Sequence, residues 1–439
     1  MSAERLTPLL FGPCPPEWKQ PYIDEITDLL TNGFVGPSLP HQTENSETGI
    51  CYLQGFNVRP NKLDLARTTW VTHDFHAKNR KSQLREGDVL VVQSGHIGTA
   101  AVVPKEAAGS NCHAVIICRF KSSIVDPDFA SQYLNSQIGQ ARLRGLHVGS
   151  SLPHINTSEL GRFKLPLPPL HEQRNLAQLW VTWDTAIQKT EQLIAAKERH
   201  YSHELSLLIS SSQHPHAHVG AFAEEVSARN RGGTWRHVQI RDIADRVQRQ
   251  SDGGDYPLMT ISSASGFIRQ EDRYSRYMAG ESAKTYTFLR AGDFSYNKGN
   301  SKRYEFGCVF QLKDYEAALV PSVYVSFRLH ESVCAAYMRH LFVADYLKPQ
   351  LRALVKTGVR NNGLLNIRPD EFMGTTVPLP PFDQQIRIAN ILDAASAEIG
   401  LLRQQLAALR TQKRGLMQKL LTGQWRLPIP ETAEEASDA

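Results

Sequence analysis

Two stretches of this chain are basic and free of acid. From Tyr346 to Pro369 run Lys348, Arg352, Lys356, Arg360 and Arg368 with no Asp or Glu. From Phe129 to Ser158 run Arg142, Arg144, His147 and His154, again with no Asp or Glu. A single basic run is often only a solvated face. Two at matched places suit contact with the regular phosphates of a nucleic acid. The glycines of Lys356-Thr357-Gly358-Val359-Arg360-Asn361-Asn362-Gly363 let a backbone approach closely, and Asn361 lies among them. Two polar loops add a different chemistry. One holds Ser94 and His96; the other holds Asn297, Lys298, Asn300, Lys302 and Arg303. Asn, Lys and Arg are the side chains that pair with purine edges in a major groove. Arg59 and Lys62 complete the set of candidate contacts. The spacing of four places Lys348, Arg352, Lys356 and Arg360 on one helical face, with Gly358 expected to end the helix. The expectation is that this row holds phosphates while the loops read bases.

Catalytic chemistry does not assemble. There is no G-x-x-x-x-G-K-[ST] loop and no G-x-G-x-x-G. Asp126-Pro127-Asp128-Phe129 only loosely resembles the Asn/Asp-Pro-Pro-Tyr/Phe loop of amino-methyltransferases, and no glycine-rich cofactor loop precedes it. Glu17-Trp18-Lys19 has the Glu-x-Lys of nuclease sites without the upstream Pro-Asp. No Ser/His/Asp set stands out. His214, His216 and His218 alternate in a Pro-containing polar stretch, where solvation is a better reading than a metal.

Composition fits a binding protein. The 439 residues carry 49 basic and 44 acidic side chains, a net charge of +5 and a pI near 8.8, which permits a nucleic-acid partner without demanding one. No apolar run approaches the length of a membrane span, and Met1 to Leu10 lacks a signal-peptide core. The six cysteines are scattered with no C-x-x-C, which implies free thiols and a cytoplasmic setting.

The candidate loops must be positioned by something, and the chain repeats its means of doing so. Pro166-Leu167-Pro168-Pro169-Leu170-His171-Glu172-Gln173 recurs 212 residues later as Pro378-Leu379-Pro380-Pro381-Phe382-Asp383-Gln384-Gln385. Proline has no N–H to leave unpaired and a φ suited to a helix start. Upstream, each loop follows a Gly-Asp step into a strand, Gly87-Asp88-Val89 and Gly292-Asp293-Phe294. Downstream, each knot opens some forty residues with heptad spacing. In the second copy Ile388, Ala395, Leu402, Leu409 and Leu416 form one row, and Leu392, Ile399, Leu406, Lys413 and Leu420 the other. The first copy gives Leu176, Trp183, Thr190, Lys197 and Glu204, with Trp180, Ile187, Ile194, Tyr201 and Leu208. Alternating steps of four and three are the seam of a coiled coil. Lys413 interrupts its row, so Lys413→Leu is expected to be neutral or stabilising.

The fold class that follows is α+β: two pseudo-repeated mixed α/β domains, each followed by a long helix, the two helices pairing as a coiled coil. The boundaries expected are a first domain at 1–165, its helix at 166–212, a linker at 213–233, a second domain at 234–377, its helix at 378–424, and a disordered acidic tail at 425–439. A period this long is duplication of a whole domain rather than a solenoid.

With the doubled knots, matched heptads and matched strands in view, the chain resembles the specificity (S) subunit of type I restriction–modification systems over nearly all its length. Those subunits carry Pro-x-Pro-Pro-x-x-x-Gln at the start of each long helix, met here at Pro166–Gln173 and Pro378–Gln385. The resemblance implies a non-catalytic, DNA-binding chain with two target recognition domains. Each reads half of an asymmetric bipartite site in double-stranded DNA, while the two helices pack as an antiparallel coiled-coil spacer that sets the separation, on the order of one helical turn. It further implies that two methyltransferase (M) subunits dock on the helices and restriction (R) subunits join them. S-adenosylmethionine, ATP and Mg would then belong to those partners, with no cofactor on this chain and no membrane contact. The alternative is a stand-alone DNA-binding or scaffold protein without a methyltransferase partner.

Overall fold

The structure, a computed structural model, describes residues 15–44, 47, 49–145, 154–211, 235–273, 285–299, 301–355 and 364–427. Compactness divides the chain into two units: Met1–Glu191 with Gln404–Ala439, and Gln192–Arg403. The two-domain α+β architecture with long helices is as the repeats implied. The units do not follow the repeat boundaries, because each takes one part of both long helices.

The first unit is built on a four-stranded sheet of β1 (Thr27–Asn32), β4 (Val89–Val92), β5 (Ala100–Val102) and β6 (Val115–Phe120). A second sheet contains β2 (Ile50–Leu53) and β3 (Thr69–Val71). The main sheet has the order β1-β6-β4-β5, antiparallel throughout. Val89 to Val92 are all buried, as a strand covered on both faces requires. Two short helices follow, α1 (Pro127–Asn135) and α2 (Gln137–Arg144), and then the long helix α3 (Leu170–Ser211). Asp126 caps α1, its carboxylate accepting the Phe129 N–H at 2.9 Å, with proline at the first helical position. Asp126-Pro127-Asp128-Phe129 is therefore a helix start. Trp180 of α3, fully buried, stacks on Phe129 with ring centroids 5.8 Å apart.

The second unit repeats this plan with β7 (Ala244–Arg246), β8 (Phe294–Asn297), β9 (Cys308–Gln311) and β10 (Val325–Leu329). Their order, β7-β10-β8-β9, matches the first sheet strand for strand, again antiparallel. Helices α4 (Ala335–Val343) and α5 (Lys348–Leu354) correspond to α1 and α2, and α6 (Phe382–Leu421) to α3. Phe294 stacks on Phe327 and Tyr296 on Phe372, with centroids 5.5 and 4.3 Å apart, at the middle of the core.

The heptad rows face inward. Trp180, Ile194, Ile388, Leu392 and Ile399 are buried, while Trp183, Ile187, Leu402, Leu406 and Leu409 are half-buried. Between Leu401 and Gly415 the seam positions are the ones shielded, and every other residue is exposed. A coiled-coil seam leads one to expect Leu402, Leu406 and Leu409 buried between the helices; all three are half-buried instead, because a two-helix seam has no third layer over it. Packing is antiparallel within each unit. In the first, Asp184 meets Lys413 and Glu191 meets Arg410, each at 2.6 Å. In the second, Lys197 meets Glu398 at 2.8 Å, and Leu205 shares a core with Ile388 and Leu392. The polar seam residues Lys197 and Lys413 thus each reach a carboxylate on the facing helix. Lys413 has only 13% of its side chain exposed, so leucine there would take from the half-exposed Asp184 its cationic partner and leave it the Gln132 amide and water. That reverses the expectation for Lys413→Leu.

Among the described residues, no helix is long and apolar enough to cross a membrane.

Candidate nucleic-acid interface

The loops are delivered by strands whose starts are held by a buried carboxylate. Gly87 and Gly292 have φ of 82° and 92°, which glycine adopts without strain. The next residue turns inward each time. Asp88 accepts the Arg85 N–H at 2.7 Å and the Arg119 guanidinium on both oxygens, each at 2.7 Å. Asp293 accepts the Arg290 N–H at 2.8 Å, Arg328 Nε at 2.5 Å and the Arg249 guanidinium. Both carboxylates are almost completely buried, so the arginines are needed to compensate the charge. The sequence shows the Gly-Asp steps as entries into strands and gives no local sign of the ion clamp. Its signal was available, because Arg119 and Arg328 stand at matched places in the two halves.

Beyond the strand, the two features read separately from the sequence come together. Ser94 and His154 form an isolated antiparallel bridge, Ile155 N–H donates to Gln93 O at 3.0 Å, and Ser94 Oγ lies 2.8 Å from His154 Nδ1. In the second unit Gly299 bridges Leu364, and Leu365 N–H donates to Lys298 O at 3.0 Å. In each domain, then, the polar loop lies against the end of the acid-free stretch. Ser94, Gly95 and His96 are exposed, and a Cβ on Gly95 would meet nothing within 4 Å. Gly98 closes the loop against α2: its carbonyl accepts Gln140 Nε2 at 3.0 Å, and a Cβ there would stand 2.6 Å from Leu143 Cδ1. Arg144, on the last turn of α2, is exposed beside it.

Several candidates are otherwise engaged. Arg142 donates to Tyr133 Oη at 2.6 Å and lies over the Phe163 ring, so it braces the core instead of reaching out. Asn297 was expected to extend freely from its loop. Instead its Nδ2 donates to Ile261 O at 3.2 Å and its Oδ1 accepts Gly299 N–H at 2.9 Å, which occupies both ends of the amide. Lys298 is half-buried, while Lys302 and Arg303 are exposed, the latter over the Tyr304 ring. Arg59 and Lys62 are exposed on a short hairpin of the first unit, with Arg59 Nε 3.9 Å from Asp64. The helical row is shorter than expected. α5 ends at Leu354 and carries only Lys348, which pairs with Glu305 at 3.4 Å, and the exposed Arg352. Asn300, Lys356, Arg360 and Asn361 lie outside the described residues.

The knot glutamines tie each domain to its helix. Gln173 accepts Asp126 N–H at 2.9 Å and donates to the carbonyls of Pro168 (2.9 Å) and Ile124 (3.0 Å). Gln385 accepts Cys334 N–H and donates to Pro380 O, each at 2.8 Å. A second latch reaches the other long helix. In the first unit Gln132 of α1 donates to Asp184 at 2.8 Å, and Lys413 lies 3.4 Å from its amide oxygen. In the second, His340 of α4 stands between Tyr201 Oη and Asp393 Oδ1, each at 2.8 Å, and Arg339 joins Asp393 at 2.5 Å. Tyr201 and Lys413 are equivalents across the repeat. Burial holds the His340 imidazole below its ordinary value against the pull of Asp393. Burial works the other way on Asp393, but the hydrogen bonds from Arg339 and His340 prevail and keep it low. The neutral ring that fits has Nε2–H donating to Asp393 and Nδ1 accepting from Tyr201.

Neither of the weak catalytic motifs forms a site. The Glu17 carboxylate pairs with Arg426, and Lys19 bridges Leu167. Among the described residues no group of His, Cys, Asp or Glu could hold a metal.

Comparison with known proteins bears on this arrangement. Residues 38–197 match the family model described as the type I restriction modification DNA specificity domain. The type I restriction enzyme MjaVIII specificity subunit of Methanocaldococcus jannaschii is 20% identical over 80% of this chain and 81% of its own. The EcoKI specificity subunit of Escherichia coli is 20% identical over 85% and 83%. Among solved structures, the type I restriction–modification S subunit of M. genitalium aligns with a TM-score of 0.54 and 14% identity, covering 94% of this chain and 97% of that one. A chain solved in work on complex assembly and conformational transition of the type I R-M system gives a TM-score of 0.54 at 18% identity, covering 94% and 99%.

Proposed function

We propose that this chain, which belongs to the specificity subunits of type I restriction–modification systems, reads an asymmetric bipartite DNA site with one recognition domain for each half. Such subunits recognise DNA and do no chemistry themselves. The observation that carries the reading is the doubled juxtaposition of loop and acid-free stretch, Ser94 against His154 and Gly299 against Leu364. The scaffold is shared and the side chains differ: Ser94, His96 and Arg144 in one domain, Lys302 and Arg303 in the other. Unlike readers on like frames favour unlike half-sites. Exposed phosphate-type contacts are Arg59, Lys62 and Arg352.

The paired helices serve as the spacer and as the seat for two methyltransferase subunits, with restriction subunits joining that core. Val181, Leu193, Ile386, Ile391 and Leu401 remain exposed on the long helices, more apolar surface than an isolated pair calls for. In this reading S-adenosylmethionine, ATP and Mg act on the partner subunits. Methylome sequencing of cells carrying the chain with its methyltransferase tests it. The expected outcome is one bipartite motif with unlike halves. A symmetric motif, or methylation or cleavage by the purified chain alone, overturns it.

A further inference from the structure

The first unit contains a cavity of mixed basic and apolar lining that none of the proposed DNA contacts uses. It offers about 190 Å³, half open to solvent, between the corner where α1 meets α2 and the last turns of α6. One wall is Asn135 to Ile138; the other presents Arg410, Lys413, Arg414 and Gln418 beside the apolar Met417 and Leu421. A single water needs about 10–15 Å³ of such space, so the cavity takes a larger group. Its charge is unbalanced. Arg410 is answered by Glu191 and Lys413 by Asp184, whereas Arg414 makes no ion pair and the Gln418 side chain no hydrogen bond among the described residues. The α2 N-terminus adds nothing, because Ser136 Oγ already accepts Gly139 N–H at 3.0 Å.

We propose that this cavity binds a phosphate of the DNA backbone, with Arg414 as its principal contact. The inference rests on the DNA-reading function above. α2 links the cavity to the reading loop: its first turn lines the cavity, and its later residues Gln140 and Leu143 hold Gly98. Eight residues at about 1.5 Å each make the helix about 12 Å long. Phosphates follow one another every 3.4 Å or so of axis along a strand, so a duplex engaged at Ser94, His96 and Arg144 has phosphates within that span. Arg414 therefore fixes the register of the duplex on the first domain without reading sequence. The site is peculiar to this unit, because the repeat equivalents of Arg410, Arg414 and Gln418 are Glu198, Ser202 and Ser206. The backbone is thus gripped more firmly at one half-site than at the other.

The test uses the full chain, a duplex bearing the methylome-defined site, and binding titrations at several salt concentrations. Arg414→Ala should weaken cognate and mismatched duplexes alike and flatten the plot of log K against log salt by about 0.9. Arg414→Glu should weaken binding further, and neither should move base preference. Arg387→Ala, which removes an exposed α6 charge paired with Asp383, should leave the slope unchanged. An equal flattening with Arg387→Ala reduces the effect to net charge and overturns the proposal. So does a wild-type slope in both Arg414 variants. If inorganic phosphate raises the melting temperature of the wild type but not of Arg414→Ala, while DNA slopes agree, the cavity holds free phosphate and the DNA assignment fails. Failure of the wild type to bind any duplex at low salt would instead remove the DNA reading itself.

Discussion

Asp293→Asn probes the clamp that aims the polar loop after β8. The side chain is completely buried and accepts from Arg328 Nε, the Arg249 guanidinium and Arg290 N–H. Charge-assisted bonds contribute about 1.5–3 kcal/mol each. Asparagine is nearly isosteric and keeps an acceptor, but its amide now points a donor at a guanidinium. Removing one partner of a buried pair costs about 3–5 kcal/mol. Here the side chains of Arg249 and Arg328 are 37% and 45% exposed, so water takes over part of their loss. The expected cost is about 3 kcal/mol, confined to the unit Gln192–Arg403. For a body of that size, about 2–4 °C per kcal/mol puts the loss in melting temperature at about 6–12 °C. A two-unit chain does not melt in one step, so hydrogen exchange resolved by peptide is the better assay. Protection should fall at Phe294–Asn297 and Val325–Leu329 and persist at Val89–Val92. Loss of specificity should be limited to one half-site. A change under about 0.5 kcal/mol, or equal loss of protection in both units, would refute the clamp.

The remaining predictions follow the latches and the loops. Lys413→Leu should destabilise the first unit by about 1 kcal/mol in urea titrations, and the cost should shrink in an Asp184→Asn background; an unchanged or raised midpoint restores the sequence expectation. The native His340 value lies below its ordinary 6.5, so the unfolded chain takes up the proton first and stability falls as pH drops through 6.5. Asp345, raised to about 6 by burial, opposes this, so the comparison is wild type against His340→Gln. The variant should lose less stability between pH 7 and 5, and parallel curves would count against the latch. Arg144→Ala and Lys302→Ala should each cost about 1–3 kcal/mol on the cognate duplex and relax one half-site only, in opposite halves. Relaxation of the same half by both would show that the domains do not divide the site.

The sequence announced what repeats and hid what is paired across distance. Proline knots, Gly-Asp steps and heptads are local, and periodicity alone located them, down to which face of α6 points inward. The partners of Asp88 and Asp293 lie 31 and 35 residues away, beyond any local pattern. Asn297 misled for a related reason: its type suits base edges, but a loop that must turn at Gly299 uses the amide first. The helix under the basic row is shorter than expected because spacing of four predicts a face and not a length: α5 stops at Leu354, with Lys356 and Arg360 outside the described residues. Lys413 read as a flaw in a seam when the seam was judged without α1 beside it.

The knot glutamines have a consequence for how such chains diversify. Gln173 bonds to main-chain atoms at Asp126, Ile124 and Pro168, and Gln385 to main-chain atoms at Cys334 and Pro380. Main-chain donors and acceptors are the same whatever residue carries them. This part of the fastening therefore asks almost nothing of the domain's own sequence, whereas the Phe129–Trp180 stack and the Gln132 and His340 latches each ask for a particular side chain. A foreign domain ending in the same knot would find the same glutamine socket, and only these side-chain latches would have to be matched anew on the helices.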